Sequence, residues 1–227
     1  MIARMPVDLA TLVAPQHTAL LTVEVQNVVV GGSSVTPELA AAVAAHGTLD
    51  RISTLAAAAR AANVPVVHCT AEARPDGLGA SHNARLFALA RKGRAAGHQP
   101  PPGAFDVHPA VGVESRDLVL PRLHGLSPMG GTSLDPILRN LGVTTIVATG
   151  VSVNVALMGL AFEAVNRGYQ LVLPRDATAG VDDAYVDAVY EHTFALIATV
   201  TTADAVARIW RQPTTPAPRS AAMRSSP

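Results

Sequence analysis

Residues 127–177 read SPMGGTSLDPILRNLGVTTIVATGVSVNVALMGLAFEAVNRGYQLVLPRDA. Two short apolar runs rich in β-branched residues, 144–149 and 169–173, enclose an Ala-rich segment, 153–167, in which apolar residues recur at helical spacing. Gly142 follows another helical pattern, at the position where a helix C-terminal glycine belongs. The stretch therefore predicts two buried strands joined by a helix, which is the repeating unit of a parallel sheet.

The same alternation continues on both sides of this stretch. The predicted strands are 18–24, 64–69, 117–120, 144–149, 169–173 and 197–201, and the predicted helices are 37–62, 82–93, 133–141, 153–167, 183–195 and 203–211. Nearly all-apolar strands are typical of a sheet that is covered on both faces. We therefore predict an α/β fold, a doubly wound, mostly parallel six-stranded sheet with helices on both faces. Residues 1–211 are predicted to form a single domain, and the Pro/Ser/Ala-rich residues 212–227 a disordered tail.

The composition argues against several classes of protein. The chain has 227 residues with 17 basic and 17 acidic groups, and this balance argues against nucleic-acid binding, which depends on clustered Lys and Arg. No apolar stretch reaches the roughly 18–20 residues of a membrane helix. Residues 1–16 are interrupted by Pro and Asp and lack a signal-peptide core, and the single cysteine, Cys69, excludes an internal disulfide. We expect a cytoplasmic protein that binds neither nucleic acid nor membranes.

Polar side chains follow the predicted strands. Ligands of open parallel sheets bind beyond the carboxyl ends of the strands, where loops and helix N-termini converge. We therefore expect these polar side chains to gather at one edge of the sheet and to form a site for a small molecule. The candidates at this edge are Glu24, Gln26, Asn27, His68, Arg122, His124, Ser152 and Asn154.

Each candidate also has a structural interpretation, which the sequence leaves open. A strand-end acid such as Glu24 often caps a loop, and Arg122 is a natural ion-pair partner for it. His68 and His124 are of a type that is often a hydrogen-bonded structural residue. Cys69, at the end of an apolar strand, is typical of a buried small hydrophobic residue.

Motif searches mostly fail. There is no Walker A sequence, and no spacing of His, Cys, Asp and Glu that is typical of metal ligands. We therefore predict neither a cofactor nor a catalytic metal. Ser152, Asp176 and His192 occur in the chain order of the α/β-hydrolase triad. However, the turn G-V-S-V-N lacks the closing glycine of a nucleophile elbow, and His192 lies inside a helical pattern, so this triad is disfavoured.

Across residues 17–205 the chain resembles the isochorismatase-like hydrolase superfamily, which includes nicotinamidases, N-carbamoylsarcosine amidohydrolases and isochorismatases. TALLTVEVQN is similar to the first strand of that family, and residues 127–177 are similar to its central block. The amidohydrolase members use an aspartate, a lysine and a cysteine nucleophile. The corresponding positions in this chain carry Glu24, Arg122 (or Pro121 if the register shifts by one) and Ala156. The only lysine, Lys92, lies away from the strand ends.

The resemblance implies a hydrolase that works without a thioester, because Ala156 has no nucleophilic atom. Glu24 would assist the attack of water on a small polar, anionic molecule, with Arg122 as a clamp and His124 as a proton carrier. The family resemblance also implies a cis peptide at Val151–Ser152 and a homodimer or homotetramer. Nicotinamidases of this family bind zinc through an acid and histidines after the second strand, but residues 68–74 of this chain do not reproduce that pattern, so we predict no catalytic metal.

Two other functions stay open at this point. The first is a catalytically inactive relative that serves as a small-ligand-binding or assembly subunit, as the loss of all three family residues suggests. The second is an enzyme in which Cys69 acts as a relocated nucleophile.

Overall fold

The predicted parallel sheet is confirmed in the computed structural model, which describes residues 8–32, 34–95, 97 and 100–212. Its strand order is β3-β2-β1-β4-β5-β7, and every strand pairing within it is parallel. The predicted tail lies outside the described residues except for Gln212. The strands are β1 (Thr18–Val23), β2 (Val66–Ala71), β3 (Leu118–Arg122), β4 (Thr145–Val151), β5 (Gln170–Pro174), β6 (Thr178–Ala179) and β7 (Thr199–Thr201).

The sheet has seven strands, where the sequence predicted six. The additional strand is β6, which has only two residues and pairs with Gly150 and Val151 at the carboxyl end of β4. A pairing this short produces no hydrophobic period, so the sequence pattern did not reveal it.

The helices occupy the predicted segments, with two kinds of correction. The segment 37–62 is two helices, because Gly47 adopts a left-handed backbone with φ of 61°. π-helical turns at Val153–Leu157 and Tyr190–Phe194 interrupt the predicted helices 153–167 and 183–195. The α-helices are α1 (Leu9–Leu12), α2 (Asn27–Val30), α3 (Pro37–Ala45), α4 (Thr48–Ala61), α5 (Arg85–Ala95), α6 (Leu134–Asn140), α7 (Met158–Asn166), α8 (Asp183–Val189), α9 (Ala195–Ile197) and α10 (Ala203–Arg211).

Apolar layers cover both faces of the sheet. On one face Leu55 of α4 and Trp210 of α10 pack in a cluster with Leu20 of β1. On the other face Leu160 of α7 packs in a cluster with Leu21 of β1. Successive residues of β1 thus enter opposite layers, as a strand buried on both faces requires. Within the described ranges, no helix is both long enough and apolar enough to cross a bilayer.

Trp210 also connects the two ends of the described chain. Its indole Nε1 donates a hydrogen bond of 2.8 Å to the carbonyl of Val13, across 197 residues of sequence. Both groups are buried, so each would be costly to leave without a partner.

The carboxyl ends of β3, β2, β1 and β4 lie side by side. Val23 of β1 is in register with Cys69 of β2 and with Gly150 of β4, and Ala71 is in register with Arg122 of β3. Gly150 has φ of 104°, and a Cβ there would overlap the carbonyl oxygen of Val23. The absence of a side chain therefore allows β4 to approach β1 where the site begins.

Candidate active site

Glu24 and Arg122 are in contact at this edge of the sheet. Glu24 directly follows β1 in a left-handed backbone conformation, with φ of 54°, and its N–H donates to the carbonyl of Cys69 at 2.9 Å. Arg122 ends β3, and its Nη2 donates both to the carboxylate of Glu24 and to the carbonyl of Leu126, the latter at 3.2 Å. The predicted proximity of the two residues is confirmed, and the ion-pair interpretation holds, whereas their chemical roles stay predictions.

The pair lies in a water-poor environment. The Arg122 side chain is 4% exposed and the Glu24 side chain 19% exposed. Burial raises the pKa of Glu24 above its ordinary value, and the Arg122 guanidinium offsets part of this rise. A carboxyl group with a raised pKa is a stronger base when ionised and holds a proton closer to neutral pH, and both properties suit acid–base chemistry.

The position of the missing cysteine lies inside the π-helical turn Val153–Leu157. Ala156 is 1% exposed and belongs to the apolar layer that contains α7. The peptide bond between Val151 and Ser152 is cis, as the family resemblance implied. Ser152 and Asn154 are half-buried at this turn, and neither brings a sulfur atom to the site.

Gln26 has a structural role here, in place of the expected contact with substrate. It is fully buried, and its Nε2 donates to the carbonyls of Ala71 at 3.1 Å and Phe105 at 2.7 Å. Its Oε1 accepts the N–H of Ala71 at 2.8 Å. Its polar atoms thus tie the end of β2 to the loop before β3.

Asn27 belongs to a different region of the surface. Its Nδ2 donates to the carbonyl of Gly103 at 3.0 Å. It lines a cavity of about 240 Å³ between α2 and the loop 101–104, together with His108. Glu24 and Arg122 do not line this cavity.

His68 is likewise structural, which corrects the expectation that it faces substrate. It is fully buried, with Nδ1 2.8 Å from the hydroxyl of Thr22 and Nε2 3.2 Å from Oδ2 of Asp117. The same carboxylate accepts from Arg60 Nη2 at 2.6 Å. Burial lowers the pKa of His68, although the hydrogen bond with Asp117 opposes this shift. We call these four residues, Thr22, His68, Asp117 and Arg60, the buried network.

The two remaining candidates are His124, which is exposed, and Cys69, which is buried. His124 is exposed in the loop after β3, and its contact with the pair stays a prediction. Cys69 is 2% exposed, and burial raises the pKa of its thiol to about 12. A thiol this well shielded and this weakly acidic is not an activated nucleophile, so the function in which Cys69 is a relocated nucleophile is disfavoured.

The Ser152–Asp176–His192 order does not form a triad. Asp176 accepts the N–H of Ala203 at 2.7 Å, at the start of α10, so it serves as a helix anchor. The side chain of His192 is 71% exposed, and its nearest acidic partner is Glu191 at 4.0 Å. Across the part of the chain that the structure describes, no group of three or more His, Cys, Asp or Glu side chains is placed to hold a metal ion.

Comparisons with known proteins agree with the fold. The profile of the isochorismatase domain matches residues 18–205. A streptothricin hydrolase from Streptomyces noursei is 30% identical over 164 residues, which are 72% of this chain and 50% of that protein. A ureidoacrylate amidohydrolase from Methylobacterium radiotolerans is 30% identical over 177 residues, covering 72% of this chain and 67% of that protein. This chain thus spans from about half to two thirds of the length of these relatives.

Among solved structures, a cysteine hydrolase from Pseudomonas syringae pv. phaseolicola is similar to this chain, with a TM-score of 0.71 and 27% identity. The match covers 91% of this chain and 95% of that hydrolase. An isochorismatase family protein from Burkholderia thailandensis covers 87% of this chain and 97% of its own, with a TM-score of 0.67 and 25% identity. The profile match extends over more than half of the chain and includes Glu24, Arg122 and Ala156. The chain belongs to the isochorismatase family of hydrolases.

Proposed function

We propose that this chain hydrolyses a small polar, anionic molecule by direct attack of water, with Glu24 as the acid–base group and without a cysteine thioester. The observation that carries the proposal is the contact between Glu24 and Arg122 at the carboxyl edge of the sheet. A buried carboxylate beside a fixed positive charge can take a proton from water while the charge attracts an anionic substrate. Ala156 supplies no nucleophile, so water is the remaining attacking group.

The relatives suggest which bonds to try first. A streptothricin hydrolase and a ureidoacrylate amidohydrolase are similar to this chain, so amide and ureido bonds are the leading candidates. Enol ethers form the third class, because the family is named after isochorismatase, which hydrolyses a bond of this kind. The proposed substrate is therefore a small molecule that carries one of these bonds and a negative charge.

The test is a hydrolysis screen of amides, ureas and enol ethers with the wild-type chain and two variants. Glu24→Gln removes the acid–base group while keeping its size, and removing a general base typically costs about 10²–10⁴-fold in rate. Glu72→Gln removes an exposed carboxylate near the end of the neighbouring strand and serves as the matched control. Full turnover by Glu24→Gln on every accepted substrate would end the proposal.

A second candidate is a non-catalytic ligand-binding or assembly subunit, and one observation favours it. Two cavities of the structure have volumes of about 240 and 430 Å³, and neither is lined by Glu24 or Arg122. In this arrangement Glu24 and Arg122 contact each other, and neither side chain faces one of these two cavities. A screen with no turnover, combined with saturable binding of a small molecule, would favour this second function.

We also propose that the chain forms a homodimer or homotetramer. Phe162 and Val165 of α7 are 47% and 38% exposed, and such apolar side chains on one helix are suited to contact with another copy. Light scattering coupled to gel filtration measures the mass directly. A monomer at micromolar concentration would contradict this proposal.

A further inference from the structure

Arg122 is short of hydrogen-bond acceptors. An arginine side chain carries five N–H donors, and Arg122 is almost fully buried. Its Nη2 has two acceptors, the Glu24 carboxylate and the Leu126 carbonyl. Its Nε and Nη1 are buried and find no acceptor within the described part of the chain. Because buried donors without acceptors are unfavourable, the site would be stabilised by a further acceptor that enters it.

The exposure of the pair shows from which side such an acceptor arrives. The Glu24 side chain is 19% exposed and the Arg122 side chain 4% exposed, so solvent reaches the pair mainly at Glu24. An incoming molecule meets the carboxylate first and has to compete with it for the guanidinium. The best competitor is another carboxylate, because it supplies the same negative charge and two acceptor oxygens in the plane that a guanidinium prefers.

We infer that Arg122 is a carboxylate-exchange site: a carboxylate of the ligand takes the N–H groups of Arg122, and Glu24 is released from the guanidinium as the ligand binds. This inference rests on the proposed function and narrows its substrate class to small carboxylic acids. It also couples binding to chemistry. Glu24 loses its positive partner only when a ligand is present, and a carboxylate without a neighbouring guanidinium is a stronger base.

The test is a titration of isotope-labelled full-length protein with sodium acetate, followed through the Nε–H resonance of Arg122, which Arg122→Lys identifies by its disappearance. Acetamide has the same shape without the charge, and sodium chloride at equal ionic strength controls for screening. We expect a saturable shift with acetate alone. We also expect several-fold tighter acetate binding in Glu24→Gln, because no internal carboxylate then competes, and unchanged binding in Glu72→Gln.

Three results would overturn the inference: no saturable shift, an equal shift with acetamide or chloride, or acetate affinity that Glu24→Gln leaves unchanged while thermal unfolding shows a folded variant. The readout is binding, so it separates this inference from the proposed function. Acetate exchange without any turnover would remove the hydrolase and keep the exchange site. Glu24-dependent hydrolysis of neutral amides without acetate binding would keep the water chemistry and remove the exchange site.

Discussion

Asp117 is the acceptor at the centre of the buried network, and we predict that Asp117→Ala destabilises the fold strongly. The Asp117 side chain is 2% exposed and accepts from Arg60 Nη2 at 2.6 Å, from His68 Nε2 at 3.2 Å and from the N–H of Glu114 at 2.8 Å. Burial alone would raise the pKa of Asp117, but these donors hold it below its ordinary value. The carboxylate is therefore ionised in the folded state, where it accepts hydrogen bonds from all three donors.

The size of the stability loss depends on which hydrogen-bond acceptors Arg60 retains in Asp117→Ala. Removing one partner of a buried ion pair costs about 3–5 kcal/mol, because the other charge stays buried. Arg60 still reaches the carbonyls of Val111 and Gly112 and the carboxylate of Glu114 at 3.3 Å. We therefore expect the lower limit of the range, about 3 kcal/mol, out of a total stability of roughly 5–15 kcal/mol. For a chain of this size the melting temperature should fall by roughly 6–12 °C.

The assay is urea unfolding followed by the fluorescence of Trp210, the only tryptophan, which is buried in the folded state. Asp76→Ala is the matched control, because Asp76 also pairs with an arginine, Arg74, at 2.7 Å, but both side chains are about half exposed. Exposed pairs contribute little to stability. If Asp117→Ala and Asp76→Ala shift the urea midpoint equally, the interpretation of the buried network is wrong.

Three further predictions concern the same scaffold. Burial lowers the pKa of His68 below 6.5, so the unfolded chain binds a proton there at a higher pH than the folded chain does. Stability should therefore fall as the pH drops below about 6.5. His68→Gln should make the urea midpoint depend less on pH in this range. Gly150→Ala should lower the urea midpoint far more than Gly142→Ala, because a Cβ at Gly150 overlaps β1. At Gly142 a Cβ meets nothing within 4 Å and costs only left-handed backbone strain of about 1–2 kcal/mol. Equal losses of stability in the two variants would contradict this prediction. Cys69 should resist a thiol reagent in the native protein and react fully after unfolding, and rapid native labelling would reopen its role as a nucleophile.

The sequence predicted most of the architecture because local pattern and buried strands coincide. The predicted strands contain short, nearly all-apolar runs, and the last helix, 203–211, has the predicted bounds. The division at Gly47 had a visible signal, the glycine itself, but the Ala-rich pattern on both sides favoured one helix. The π-helical turns have no signal in apolar spacing, because they change the hydrogen-bond pattern by one residue without changing the composition.

The candidate site was predictable only in part. The rule for the carboxyl ends of strands brought Glu24 and Arg122 together, although 98 residues separate them. The same rule placed His68 at the site, yet its ring is fully buried and bonds to Thr22 on the adjacent strand. Its other partner is Asp117, the residue before β3, which in turn accepts from Arg60 of α4, so only the packed structure reveals that His68 is structural.

The hydrogen bond between the indole of Trp210 and the carbonyl of Val13 has a practical consequence for protein engineering. It holds the first and last helices of the described chain against each other, and α1 and α10 are in direct contact. Joining the two ends by a short peptide and opening the chain in an exposed loop, for example at Gly125, would leave all the strand pairings intact. Such a circular permutant would place both new ends beside the Glu24–Arg122 edge, where a reporter group could be attached.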